Sequence, residues 1–179
     1  METIRTCIGP PLQDSLSRLL GTQNPDMINE ALTLYRSKYS TTGLYENVIY
    51  PGVPGMLAAL VKQDCTLHLV TSKPVVYASK ILEYFSILCR FKGLYGSSLE
   101  GGNSEKTELI QEALEDQSID PSLAIMIGDR KHDIEGARAN SVGTIGVTWG
   151  FGTKQELITA SPRFLVDHPS EIPGVVLSL

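Results

Sequence analysis

Ile125-Met126-Ile127-Gly128-Asp129-Arg130-Lys131-His132-Asp133 is the stretch on which the fold turns. The apolar run from Leu123 to Ile127 reads as a short strand buried on both faces. Gly128-Asp129 ends it, and a second aspartate, Asp133, follows where helical spacing begins over His132 to Ala139. A buried strand that passes through a polar turn into a helix is one unit of an α/β fold.

The same unit recurs on either side. Upstream, Cys65 to Thr71 reads as a strand and Pro74 to Phe85 as a helix, with Pro74 at its first position. Gly93 to Gly96 reads as a brief strand, and Ser104 to Leu114 as a helix. Downstream, Gly143 to Thr148 and Phe164 to Asp167 read as strands around a helix near Gln155 to Thr159, while Pro51 to Val61 is a further helix. Strands alternating with helices predict a parallel sheet covered on both faces. Before about Asn47 no strand-like run occurs. Leu12 to Leu20 reads as a helix ending at Gly21, and Asn24-Pro25-Asp26 as the start of another. Met27, Ile28, Ala31, Leu34, Tyr35 and Tyr39 give that second helix an apolar stripe. Gly43 and Asn47 mark a loop, and neither an internal repeat nor a low-complexity tract is visible.

Composition narrows the function. The chain has 179 residues, 42% hydrophobic and 20% charged, with 15 Lys+Arg against 20 Asp+Glu, a net charge of −5 and a mean hydropathy of +0.00. A mildly acidic chain lacks the basic footprint that nucleic acid requires, yet a few local donors suffice for a small phosphorylated ligand. No apolar stretch approaches a membrane span. Met1 to Pro11 carries Glu2 and Arg5 and has no apolar core of the signal-peptide kind. Cys7, Cys65 and Cys89 are odd in number and form no metal or redox spacing. The expectation is a cytoplasmic protein with no nucleic-acid or membrane partner.

Ligands of such sheets bind beyond the carboxyl ends of the strands, and three places there carry chemistry. Asp129 and Asp133 suit a hard cation such as Mg²⁺, which takes oxygen ligands; equally, Asp129 can cap the next helix and Asp133 can favour its positive end. His132 reads as a solvated helix residue. Thr71-Ser72-Lys73-Pro74 follows a strand directly, so its hydroxyls and amides can hold phosphate oxygens, or form an ordinary strand-to-helix turn. Lys106 lies one turn before Leu109, Ile110 and Ala113 on the core-facing side of its helix. A cation facing inward there asks for an anion, unless its stem carries the charge out to solvent.

Taken together, Thr71 at a strand end, Lys106 heading a later helix, and Gly128-Asp129 with Asp133 resemble motifs two, three and four of the haloacid dehalogenase-like superfamily. Tyr50-Pro51-Gly52-Val53 resembles the segment where such chains return from a helical cap to the core. Ile8-Gly9-Pro10-Pro11-Leu12 looks like the cap segment of the phosphoglycolate phosphatase-like and nucleotidase-like branch. Gly128 to Ile134 and Gly146-Val147-Thr148-Trp149-Gly150-Phe151-Gly152 are similar to that branch too. The resemblance spans essentially the whole chain. It implies a Rossmann-like parallel sheet with a partial helical cap over residues 1–48 and a core over residues 49–179. It further implies a Mg²⁺-dependent phosphomonoester hydrolase acting on a small phosphorylated metabolite. Thr71 and Ser72 would then bind the phosphoryl group and Lys106 would neutralise it. Asp129 would bind Mg²⁺, and Asp133 would complete or orient the metal and lysine network.

One family motif has no counterpart. The superfamily's first motif is a strand ending in Asp-x-Asp, whose first Asp is the nucleophile, and no Asp-x-Asp occurs in this sequence. In the family that strand lies between the one ending at Thr71 and the one ending at Asp129. Its omission leaves two strand edges that must find partners. The length therefore reads as short by a strand and a helix: the chain continues upstream of Met1, or another segment fills the gap. The expectations for the 179-residue chain are little or no turnover and self-association through the open edges. A non-catalytic phosphate- and Mg²⁺-binding or interaction module is the alternative.

Overall fold

A computed structural model describes Cys7, residues 12–99 and residues 104–179. Ile8 to Pro11, within the segment compared with a cap, lie outside the described residues.

Two helices come first. The α1 helix (Leu12–Leu20) ends at Gly21, where the backbone turns left-handed. The α2 helix (Pro25–Lys38) starts as its sequence dictates: the Asn24 side chain accepts from the Asp26 amide at 2.9 Å, and Pro25 takes the first turn. The face that α2 buries is not the expected stripe. Leu32 is buried, whereas Met27 and Leu34 are 50% and 64% exposed. A stripe is buried only where something packs against it, and α2 meets chiefly α1 and the turn that follows. That turn is a π-helical one, Tyr39–Gly43, and it leads to the fully buried Leu44.

From Val53 helices and strands alternate: α3 (Val53–Lys62), β1 (Leu67–Pro74), α4 (Val75–Tyr84), β2 (Phe91–Ser97), α5 (Lys106–Asp116), β3 (Ile125–Gly128), α6 (Lys131–Ala139), β4 (Gly143–Val147), α7 (Lys154–Ala160), β5 (Phe164–Val166) and α8 (Ile172–Leu177). Local readings change: Leu123 lies in a 3₁₀ turn, 85% exposed, ahead of β3, which begins at Ile125. Pro74 closes β1 opposite Ser97 instead of opening a helix, and α4 starts one residue later. Helix α8 carries no sequence signal because six residues are too short to display a period, although Ile172 is fully buried.

Every strand pair is parallel. β1 pairs with β2, and β3, β4 and β5 pair in that order. Helices cover both faces. On one, Leu60 of α3 and Ile172 of α8 join Ile145, Val147 and Val166. On the other, Ile110 of α5 and Ala137 of α6 join Val142. Burying a side chain such as Ile145 completely contributes about 1.5–3 kcal/mol.

β1 and β3 share both cores without pairing. Leu67 of β1 and Ile125 and Ile127 of β3 pack on the first core; Val70 and Met126 pack on the second. Among the described residues no ladder joins the two strands. All eight residues of β1 are partly exposed, where a strand inside an α/β layer is ordinarily buried.

Candidate active site

Four chain corners meet at the carboxyl ends of the strands. Thr71 and Ser72 end the regular part of β1, Asp129 follows β3, Lys106 opens α5, and Asp133 lies in the first turn of α6. All five line one cavity of about 350 Å³, and Leu12, Leu32, Tyr35 and Tyr39 of the helical segment form its other side. A larger recess of about 1090 Å³ opens beside it between α1, α2 and the start of α6, sharing Gln13, Arg130 and His132 with it. The polar residues chosen from sequence sit in the smaller cavity, which is therefore the candidate site.

Lys106 is its centre. Its Nζ stands 3.0 Å from Asp133 Oδ1 and donates to the Val70 carbonyl at 2.7 Å. The side chains of the pair are 14% and 8% exposed, so water screens the pair weakly. Asp133 Oδ2 accepts from the Arg130 amide at 3.1 Å, which satisfies a donor at the start of α6. Lys106 thus does not carry its charge out to solvent, and Asp133 both holds it and caps α6. The approach of α5 to α6 depends on Gly136. A Cβ there would stand 2.9 Å from Lys106 Cβ and 3.0 Å from the Thr107 nitrogen, too close for either backbone to stay in place. Asn140 reinforces the contact by donating to the Thr107 carbonyl at 2.9 Å.

The hydroxyls divide their work. Thr71 Oγ1 accepts from the Lys73 amide at 3.2 Å, leaving its own proton to give. Ser72 Oγ donates to the Ser104 carbonyl at 2.8 Å, tying β1 to the segment that leads into Lys106. Its hydroxyl proton is therefore already engaged.

Asp129 is the open carboxylate. Its Oδ2 accepts from the Phe151 amide at 2.7 Å, and Oδ1 has no partner among the described residues. The loop Gly150-Phe151-Gly152 wraps it, so the glycine-rich run after β4 serves the site. Tyr50, read from the sequence only as part of the return to the core, comes within electrostatic reach of Asp129. Burial first, and then the Asp129 carboxylate, push its phenol above the ordinary value, so it stays neutral beside Asp129.

Among the described residues no group of three or more Asp, Glu, His or Cys gathers as a metal cage. The donors present fit a hard divalent cation of the kind that keeps waters and substrate oxygens: Asp129 offers one free carboxylate oxygen, and Asp133 stands behind it with both oxygens engaged. A cation, a buried ammonium and a threonine hydroxyl around one cavity can neutralise a tetrahedral oxyanion.

Such a corner, beyond the carboxyl ends of parallel strands, is where α/β proteins of this class take their ligands. The chain belongs to the haloacid dehalogenase-like hydrolase family, whose model matches residues 1–147. It is 41% identical over 155 residues to a 5'-nucleotidase of Pseudomonas aeruginosa, covering 87% of this chain and 70% of that protein. It is 32% identical over 165 residues to tyrosine-protein kinase PtkA of Mycobacterium tuberculosis, covering 92% of this chain and 55% of that protein. The chain thus spans about half the length of the kinase. Phosphoglycolate phosphatases are also among its relatives. A crystal structure described as a predicted phosphatase from Clostridium acetobutylicum superimposes with a TM-score of 0.93 at 35% identity, covering 99% of this chain and 82% of that one. The parallel α/β architecture read from the sequence and its family assignment agree with these likenesses.

Proposed function

We propose that the chain carries the charge-neutralising part of a Mg²⁺-dependent phosphomonoester hydrolase site and turns over little or nothing by itself. One observation supports this above the others: Lys106, held by Asp133 and the Val70 carbonyl, shares a cavity with Thr71 and the open Asp129 carboxylate. Chemistry at a phosphate is what the printed names of the nucleotidase, the kinase and the phosphatases have in common.

In this reading Thr71 Oγ1 donates to a phosphoryl oxygen, with the Ser72 amide beside it, and Lys106 neutralises that oxygen's charge. Asp129 would hold Mg²⁺ with substrate and water as its other ligands, and Asp133 would position Lys106; when bound, the ion would add positive charge at the phosphoryl oxygens. Residues 1–48 act as a cap over a core of residues 49–179, and the ligand is a small phosphorylated metabolite met in the cytoplasm. Among the described residues that line the cavity, no carboxylate is then left to attack phosphorus. Asp133 is engaged at both oxygens, and Asp129 is the cation's ligand. Losing a covalent nucleophile removes a step that charge stabilisation does not replace.

Calorimetric titration of the purified chain with inorganic phosphate in the presence of Mg²⁺ tests the binding half. Saturable heat is expected, reduced tenfold or more in affinity by Lys106→Ala and made independent of Mg²⁺ by Asp129→Ala. No heat from the wild-type chain would overturn the assignment.

A further inference from the structure

Between Asp129 and Asp133 the chain carries an arginine that phosphoryl binding does not employ. Arg130 follows Asp129 directly and lines the site cavity with it. Its Nε, however, donates to Glu156 Oε1 at 2.8 Å, 26 positions along the chain. The two side chains are 13% and 22% exposed, so water screens the pair only in part.

Glu156 stands on the far side of the arginine. It lines the larger recess and not the site cavity, whereas Arg130 lines both, so the ion pair draws the guanidinium toward the recess. The same Glu156 Oε1 accepts from the Lys131 amide at 3.0 Å, at the first residue of α6. The Glu156 amide donates to Thr153 Oγ1 at 3.0 Å, which fixes the residue in the first turn of α7. The loop leading to α7 lies directly on the corner: a Cβ at Gly152 would collide with the Asp129 carbonyl and stand 3.3 Å from Arg130 Cδ. Burial by itself would raise the Glu156 carboxyl; the Lys131 amide and Arg130 outweigh it, so the group is held low and carries its charge.

The charges of the corner are matched in pairs. Lys106 answers Asp133 and Arg130 answers Glu156, and among the described residues no cation answers Asp129. A guanidinium fork fits a carboxylate well, and Asp129 is the arginine's neighbour in the chain. Without Glu156 the guanidinium would be drawn to Asp129. Even short of contact it would leave an unbalanced positive charge beside the place a cation would take.

We propose that Glu156 is a positioning residue that holds Arg130 away from Asp129 and so keeps that carboxylate open to a divalent cation. It touches neither the cation nor the phosphate and acts through Arg130. The inference rests on Asp129 being the cation's ligand.

Calorimetric titration of the purified chain with Mg²⁺ alone, and separately with inorganic phosphate in the absence of Mg²⁺, tests it. Glu156→Ala should weaken Mg²⁺ binding about 10-fold, the scale of one uncompensated charge beside a part-screened site. Phosphate binding should stay the same or tighten, because the uncompensated arginine attracts an anion. Glu156→Gln, which keeps an acceptor for Arg130 and Lys131 but no charge, should lie between Glu156→Ala and the wild type. Adding Arg130→Met to Glu156→Ala should restore Mg²⁺ affinity to within about twofold of the wild type. If Glu156→Ala weakens Mg²⁺ and phosphate alike and Arg130→Met recovers neither, Glu156 merely supports the fold and the inference fails. Unchanged Mg²⁺ affinity in Glu156→Ala would refute it while the cation assignment stands. If the wild-type chain takes up no Mg²⁺, the cation assignment and this inference fall together.

Discussion

Asp129 and Asp133 are the same residue type four positions apart, and their surroundings give them different tasks. Asp133 is 6% exposed and tied to Lys106 and the Arg130 amide; Asp129 is half-buried with one oxygen free. Removing Asp133 leaves a buried ammonium uncompensated, so Asp133→Ala should cost about 3–5 kcal/mol. Asp129→Ala loses one charge-assisted bond from the Phe151 amide and should cost no more than about 1–2 kcal/mol. Urea denaturation of the two variants at pH 7 checks this, and equal costs would contradict the division of labour. Sequence reveals the division only partly. That both carboxylates sit at a strand's end follows from the apolar run before them and the helical spacing after. Which one is free depends on Lys106 and Phe151, both far along the chain. Lys73 is the sharper case. Its contact with Tyr39 spans 34 positions, so nothing local in Thr71-Ser72-Lys73-Pro74 signals it.

Among the elements, the α5–α6 contact decides whether Lys106 meets Asp133. It rests on a glycine within a helix, a position that ordinarily costs about 1 kcal/mol of helix stability relative to alanine. Gly136→Val should force the backbones apart, destabilise the fold by about 1–3 kcal/mol and weaken phosphate binding. Gly174→Ala, where a Cβ meets nothing within 4 Å, should stabilise α8 slightly and leave phosphate affinity alone. Thermal denaturation and phosphate titration of both variants test the pair; a neutral Gly136→Val would show that Lys106 is placed by something else. The element order is well marked in the sequence because each strand is a short apolar run flanked by turn residues. The face of α2 is not. Leu34 fits the period and lies on the outside, because helical spacing says which residues share a face but not whether a neighbour covers it.

At the scale of the molecule, two parallel sheets share two hydrophobic cores, while among the described residues β1 and β3 do not pair with each other. The site lies at the ends of those two strands, so their separation is also a separation within the site. Thr71 comes from one side and Asp129 from the other, and Lys106 bridges toward both by reaching Val70 and Asp133. Among the described residues, the cavity's carboxylates are Asp129 and Asp133, and in the proposed reading the first holds the cation and the second holds Lys106. The most direct test of that account is hydrolysis of p-nitrophenyl phosphate by the purified chain with Mg²⁺. The account predicts phosphate release no faster than from the Asp129→Ala variant, together with saturable phosphate binding by the wild-type chain under the same conditions. Mg²⁺-dependent turnover by the wild-type chain, abolished by Asp129→Ala, would contradict it.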